Sequence, residues 1–156
     1  MNQSRRDEAA MRGDARVGIA GFRRDLEELS ERVIGCCFRV HNGLGSGFLE
    51  KVYENALMIE LTKHGLRARQ QVPLVVKYDG QPVGEYFADM LVEDALVCEL
   101  KACERLLTEH EVQLVNYLAA IGLDAGLLIN FGRSVTVKRK FREYVASDRN
   151  SADARD

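Results

Sequence analysis

The spacing of apolar residues in the first half of the chain predicts two amphipathic helices. Apolar side chains recur every three or four positions from Phe22 to Val40, the spacing of one helix face, and this helix should end at Asn42-Gly43. Ser46 can cap a second helix that ends near His64-Gly65. The apolar stripe of this second helix consists of Leu49, Val52, Tyr53, Ala56, Leu57 and Leu61.

Short runs of β-branched and aromatic residues in the second half of the chain predict strands. A strand at 72–78 leads through Asp79-Gly80, a strong hairpin turn, into a second strand and then a third. Thr108-Glu109-His110-Glu111 is a capping box that opens a third helix, Gly122 closes it, and strands follow at 125–130 and 135–141. The predicted order α-α-β-β-β-α-β-β indicates an α/β (α+β) domain.

The hairpin within residues 85–101 has a register that follows from its apolar residues. With Glu93-Asp94-Ala95 as the loop, one face is wholly apolar, whereas a loop of even length would mix the two faces. The apolar face pairs Val92 with Leu96, Met90 with Cys98 and Ala88 with Leu100. The other face pairs Leu91 with Val97, Asp89 with Glu99 and Phe87 with Lys101.

This register sets two carboxylates, Asp89 and Glu99, directly opposite each other. Like charges in that position are destabilising, and two carboxylates so close should either share a proton or recruit a cation. A divalent metal ion would resolve the conflict. Lys101 lies two residues after Glu99, on the same strand face and about 6–7 Å away, where its ammonium group would suit an anionic substrate.

Two predicted helices carry further candidates. Glu50 shares a face of the second helix with Tyr53 and Glu54, and this face is either solvated or supplies a further acid to a metal site. Gln113 and Tyr117 lie four residues apart on the third helix, which one short connection brings near the strand of Glu99.

Composition bounds the class of protein. The chain has 156 residues, enough for one domain, which we expect at 22–146 between a disordered arm at 1–21 and a disordered tail at 147–156. A net charge of −2 argues against a protein that coats nucleic acid by bulk electrostatics. No apolar stretch is long enough to span a membrane. The basic residues near the end are either a solvated edge strand or phosphate contacts. They are Arg133, Lys138, Arg139, Lys140 and Arg142.

The four cysteines, the first two adjacent, lack the spacing of metal ligands, which favours reduced thiols in a cytoplasmic protein. They are Cys36, Cys37, Cys98 and Cys103.

Together these motifs resemble a known family. Gly47-Phe48-Leu49-Glu50-Lys51-Val52-Tyr53 matches the Gly-x-x-Glu-x-x-Tyr signature of the GxxExxY proteins, small prokaryotic members of the PD-(D/E)XK nuclease-like superfamily. Asp89 with Glu99-Leu100-Lys101 resembles the superfamily core, and Gln113-x-x-x-Tyr117 is similar to a motif of several of its nucleases. Ala88 stands where the superfamily name has proline.

The resemblance implies a restriction-endonuclease-like core, a mixed central sheet flanked by helices, and a Mg²⁺- (or Mn²⁺-) dependent nuclease acting on DNA or RNA. Asp89, Glu99 and the main-chain carbonyl of Leu100 would hold the metal, and Glu50 would bind it through water or assist a second ion. Lys101 would orient the attacking water or stabilise the pentavalent transition state, while Gln113 and Tyr117 would position substrate or the outer shell of the metal. One alternative is an inactive module of the same fold that binds nucleic acid or a protein partner. In a second alternative the acids form a purely structural, exposed ion cluster with Lys101. A homodimer is also consistent with this family.

Overall fold

The computed structural model describes the backbone of residues 3–141 and the side chains of residues 21–141. It contains the predicted succession of three helices and five strands. The helices are α1 (Gln3–Leu44), α2 (Glu50–Lys63) and α3 (Thr108–Ile121). The strands are β1 (Ala68–Tyr78), β2 (Gln81–Val92), β3 (Leu96–Lys101), β4 (Ala125–Phe131) and β5 (Val135–Phe141).

The five strands form one mixed sheet in the order β1-β2-β3-β4-β5. All neighbours are antiparallel except β3 and β4, which run parallel because α3 connects them. Leu114 and Leu118 of α3 pack on one face of the sheet, while α1 and α2 cover the other face. All of β4 is therefore buried. The predicted fold class is confirmed.

Both predicted hairpin turns are present. Asp79 and Gly80 have φ angles of 51° and 72°, the left-handed pair that a two-residue hairpin turn of type I′ requires. The second loop is Glu93-Asp94-Ala95 as predicted, with Glu93 and Asp94 both at a φ of 53°. Glu93 Oε1 accepts the main-chain N–H of Arg67 at 2.8 Å, which ties this loop to the start of β1.

Helix starts were the least accurate predictions. Leu49, not Ser46, is the N-cap of α2, and Leu107, not Thr108, is the N-cap of α3. In α3 the ring nitrogen Nδ1 of His110 accepts the N–H of Leu107 at 3.2 Å, so the capping contact is shifted by one residue. Ser46 instead belongs to a glycine-rich loop, which the hydroxyl of Tyr53 holds by a hydrogen bond to the carbonyl of Gly45. Both predicted side-chain caps were therefore wrong.

Two other boundaries also differ. The backbone is helical from Gln3, where a disordered arm was predicted up to residue 21. This stretch contains no proline and is rich in Ala and Arg, so a helix anchored further along can extend through it. β1 begins at Ala68 rather than 72 because its polar first residues pair with the buried end of β2. The predicted tail at 147–156 lies outside the described residues. Within residues 3–141, no helix is long and apolar enough to cross a membrane.

Candidate active site

One cavity of about 210 Å³ brings the predicted polar residues together. It lies between β2, β3, the start of α2 and one side of α3, and all six side chains singled out from the sequence line it. These six are Glu50, Asp89, Glu99, Lys101, Gln113 and Tyr117. The side chain of Leu100 is buried in the core, but its main-chain N–H contacts the carboxylate of Asp89 at this cavity.

The β2–β3 hairpin is paired at its loop and open at the cavity. The predicted pairs Val92–Leu96, Leu91–Val97 and Met90–Cys98 are present, but the ladder ends there. The predicted pairs of Asp89 with Glu99, Ala88 with Leu100 and Phe87 with Lys101 were therefore wrong. Hydrogen bonds to carboxylates replace the main-chain ladder: Asp89 Oδ2 accepts the N–H of Leu100 at 2.8 Å, and Glu99 Oε1 accepts the N–H of Asp89 at 3.3 Å.

A left-handed residue opposite Asp89 changes the direction in which the side chains of β1 and β2 face. Gln71 has a φ of 50° and is missing from the β1–β2 ladder between the pairs Gln70–Met90 and Val72–Ala88. Gln70 bonds to α2 and Met90 packs in the core under α1, whereas Val72 and Ala88 pack with the side chains of α3. Residues two apart in a regular strand share a face, so Gln71 reverses the alternation at the cavity.

The side chain of Gln71 connects two carboxylates. Its Nε2 donates to Glu54 Oε1 at 2.8 Å and to Asp89 Oδ1 at 3.3 Å. A non-glycine residue in this region of φ costs on the order of 1–3 kcal/mol and persists where its surroundings hold it. The two hydrogen bonds hold Gln71 there, so it orients the carboxylate of Asp89.

Glu54 is a buried carboxylate with only 2% of its surface exposed. It accepts hydrogen bonds from Gln70 Nε2 at 2.6 Å and from Gln71, and it pairs with the ammonium group of Lys51. A buried charge needs such partners. Glu54 therefore supports the cavity from behind, through Gln71, rather than lining it.

Two acids of the cavity, Glu99 and Glu50, have a raised pKa. Burial, followed by the charge of Asp89, raises the pKa of Glu99 to about 8, although a hydrogen bond from the Tyr86 hydroxyl opposes the shift. Burial and the charge of Asp89 also raise the pKa of Glu50, while the ammonium group of Lys101 acts in the opposite direction. The raised pKa of Glu99 therefore favours a proton on the pair of Asp89 and Glu99 near neutral pH when no cation is bound.

The donor set of the cavity fits a hard divalent cation. All the candidate ligands are oxygen atoms, and bringing a cation to Asp89 and Glu99 would replace the proton that their repulsion retains. In the described side chains, no three His, Cys, Asp or Glu residues converge closely enough to form a metal cage. Mg²⁺ does not need one, because it is usually held by one or two carboxylates and keeps several waters.

The Gly-x-x-Glu-x-x-Tyr spacing has a structural explanation in the loop before α2. Gly47 has a φ of 102°, which favours glycine, and Glu50 is the first residue of the helix. The buried hydroxyl of Tyr53 donates to the carbonyl of Gly45 at 2.7 Å and accepts the N–H of Phe48 at 3.3 Å. Tyr53 therefore holds the loop that delivers Glu50 to the cavity.

Helix α3 closes the cavity through two stacked tyrosines. The rings of Tyr117 and Tyr86 are nearly parallel, with centroids 3.4 Å apart, and Tyr86 lines the cavity together with Glu99. Tyr117 thus contacts the acid pair indirectly. The predictions omitted Tyr86 because strict alternation would put it on the face opposite Asp89. Gln71 was missed because the first strand was predicted to begin at residue 72. Glu54 was placed on the same helix face as Glu50, one turn later, but was not chosen as a site residue.

The family model described as the PD-(D/E)XK nuclease superfamily matches residues 27–143. The solved structure of SSO0001 aligns with a TM-score of 0.50 and 16% identity over 69% of this chain and 59% of that one. The alkaline exonuclease LHK-Exo from Laribacter hongkongensis aligns with a TM-score of 0.45 and 13% identity over 67% of this chain and 62% of that one.

The chain therefore spans less than two thirds of the length of either structure, and the likeness to SSO0001 concerns the fold alone. No curated protein matches the chain.

Proposed function

Because the chain belongs to the PD-(D/E)XK nuclease superfamily, we propose that it is a divalent-metal-dependent nuclease that hydrolyses phosphodiester bonds in DNA or RNA. The main support is the open end of the β2–β3 hairpin, where Asp89 and Glu99 lie beside Lys101 and Glu50 in one cavity. An acidic cavity with one ammonium group suits a cation and a phosphate bound together.

The proposed ligands of the metal, Mg²⁺ or Mn²⁺, are Asp89, Glu99 and the carbonyl of Leu100. In an extended strand the N–H and C=O of one residue point to the same side. Since the N–H of Leu100 bonds to Asp89, its carbonyl also faces β2, where the ladder has ended. Glu50 would bind through water. The metal would supply a bound water of lowered pKa and neutralise charge on the phosphate.

The remaining side chains would bind and orient the reactants. The Lys101 ammonium group would hold the attacking water or stabilise the negative charge that develops on the phosphate. The raised pKa of Glu50 makes it a stronger base than an ordinary carboxylate, which suits a group that accepts a proton from water. Gln113, which is exposed at the cavity wall, would contact substrate, and Tyr117 would fix Tyr86 and hence Glu99.

A cleavage assay tests this proposal. Wild type and Lys101→Ala are incubated with single-stranded, duplex and branched DNA and RNA, with Mg²⁺, with Mn²⁺ and with EDTA. We expect metal-dependent cleavage by wild type and a loss of about 10²–10³-fold in Lys101→Ala, the typical effect of removing one electrostatic stabiliser. Lys77→Ala is the matched control, since Lys77 is exposed in β1 and lies outside the cavity.

Equal cleavage by wild type and Lys101→Ala would contradict the assignment. No cleavage of any substrate by wild type would favour the alternative, an inactive module that binds nucleic acid or a protein partner. The narrower GxxExxY membership, the homodimer and the cytoplasmic location stay predictions.

A further inference from the structure

A second cavity, of about 850 Å³, lies beside the candidate active site. It is formed where β3 and β4 end, between the glycine-rich loop before α2 and the turn from β4 to β5. The side chains that give it chemical character are Phe48, Arg105, Arg133, Ser134 and Thr136. Its volume is within the range of roughly 300–1,000 Å³ that is usual for a small-molecule site.

Consecutive residues divide the two cavities. Leu49 lines the second cavity and Glu50 the active site, while Lys101 lines the active site and Ala102 the second cavity. A polymer bound with one phosphate at Lys101 therefore has the second cavity as its immediate neighbour. A mononucleotide would occupy one cavity, whereas a strand would extend into both.

The charges of the two cavities are opposite. The active site contains three acids, Glu50, Asp89 and Glu99, with one lysine, whereas the second cavity contains Arg105 and Arg133 with one acid, Glu104. The ion pairs found among residues 21–141 include neither of these arginines. Their guanidinium groups are available for phosphate, which they bind in a bidentate manner.

Phe48 gives the second cavity an aromatic surface. Its side chain is 46% exposed and lines the cavity, so one face of the ring is open to a ligand. The ring is held edge-on against Tyr53, at 6.2 Å between centroids and 78° between planes. A fixed, exposed ring beside two arginines is the combination that binds unpaired bases and their phosphates.

The walls of the second cavity are held in place before any ligand binds. Asn130, which is 3% exposed, clamps the segment after β3: its Oδ1 accepts the N–H of Cys103 at 3.0 Å and its Nδ2 donates to the carbonyl of Cys103 at 2.9 Å. A ring nitrogen of His41 contacts the carbonyl of Gly132 at 2.9 Å, which fixes the turn before β5. The cavity is thus preformed.

Resting on the proposed nuclease function, we propose that the second cavity binds the single-stranded nucleotides next to the scissile phosphate. One base stacks on Phe48 and the adjoining phosphates face Arg105 and Arg133. A base inside a duplex is already stacked on both sides, so it cannot use the ring, whereas an unpaired base can. The substrate class is therefore a nucleic acid with a single-stranded segment at the cleavage site.

Binding in EDTA tests this inference without requiring cleavage. The probes are a fluorescein-labelled single-stranded DNA, the RNA of the same sequence and the blunt duplex, measured by fluorescence anisotropy over a series of salt concentrations. Phe48→Ala should weaken single-strand binding by roughly 5- to 150-fold, from the usual strength of base–aromatic stacking. Phe48→Trp should preserve it, and duplex binding should change little in either variant.

The arginines are tested by their effect on salt dependence. Arg105→Ala/Arg133→Ala should reduce the slope of log K against log salt by about 1.4, since each lost phosphate contact on a single strand removes about 0.7. The control is Lys138→Ala/Arg139→Ala, which removes two exposed cations of β5 outside both cavities. If Phe48→Ala has a much lower melting temperature than wild type, the arginine variant alone decides the result.

The outcomes separate the two proposals. Absence of single-strand binding by wild type, unchanged binding by the folded cavity variants, or an equal loss in the control variant would overturn the second-cavity proposal even if wild type cleaves. Loss of binding in the cavity variants alone supports the second-cavity proposal, even if wild type cleaves nothing and the nuclease proposal fails.

Discussion

The two ends of the β2–β3 hairpin are built by different interactions. At the loop end, three residue pairs join by a main-chain ladder, and their six side chains are at most 8% exposed. At the cavity end the ladder is absent, and the carboxylates of Asp89 and Glu99 accept the main-chain N–H groups instead. The loop end stabilises the fold, whereas the open end holds two acids in a position that is costly without a cation.

The largest difference should appear when one acid of the open end is neutralised. Asp89→Asn retains an oxygen for the N–H of Leu100 but removes a proposed metal ligand, so we expect cleavage to fall by about 10³-fold or more, with the fold retained. Cleavage rates and urea unfolding of the same preparation check this. Retention of activity within a few fold would exclude Asp89 from the reaction.

The loop end should respond in the opposite way. Leu96 is fully buried in the paired half, and Leu96→Ala should lower the free energy of unfolding by about 2–5 kcal/mol because it leaves a cavity. The fraction that stays folded should cleave at nearly the wild-type rate. Urea unfolding with activity measured well below the transition checks this, and a stable but inactive variant would mean that the two ends are not separable.

The acid pair also predicts how stability depends on pH. The pKa of Glu99 is raised from 4.5 to about 8 in the folded protein, so the folded state retains a proton that the unfolded state loses. In EDTA, the contribution of Glu99 to the free energy of unfolding should therefore be greatest below pH 4.5. It should fall by up to a few kcal/mol as the pH rises to about 8.

Melting temperatures of wild type and Glu99→Gln across this pH range measure the effect. The contribution should disappear in Glu99→Gln, and saturating Mg²⁺ should reduce it in wild type because the cation replaces the proton. The same slope in wild type and Glu99→Gln would assign the pH dependence to other groups.

Gln71 allows the smallest but most specific test. Gln71→Ala removes the side-chain amide but still places a non-glycine residue in the left-handed region. Gln71→Gly removes the amide and also the backbone strain of that conformation. We expect Gln71→Gly to be more stable than Gln71→Ala by about 1 kcal/mol, and both to lose activity because Asp89 is no longer oriented. Chemical denaturation ranks their stabilities, and the opposite order would show that the strain at this position is not significant.

The sequence predicted the loop end of the hairpin well and the open end only in part. Residues such as Met90 and Cys98 follow an alternating apolar pattern, so one register satisfies them all. The same pattern, continued past Asp89, predicted main-chain pairs that do not form. No local signal reveals that Gln71 adopts a left-handed backbone, because the hydrogen bonds that hold it come from Glu54 and Asp89, which are distant in sequence.

The candidate site residues could be predicted from the sequence because the motif is defined by residue identity and spacing rather than by tertiary contacts. Glu50 and Tyr53 keep a spacing that the loop geometry explains, with Tyr53 fixing the chain just ahead of Glu50. Tyr86 was not recoverable in the same way, since it reaches Glu99 only after the alternation of β2 has been reversed. Pattern therefore predicts elements and motifs, while tertiary hydrogen bonds determine the cavity.

A crystal structure of the protein soaked with Mn²⁺, with anomalous diffraction recorded, tests the central claim most directly. We predict one strong anomalous peak about 2.0–2.2 Å from carboxylate oxygens of both Asp89 and Glu99. A fully loaded crystal with no peak at this position, or with Mn²⁺ bound only elsewhere on the surface, would contradict the proposed metal centre.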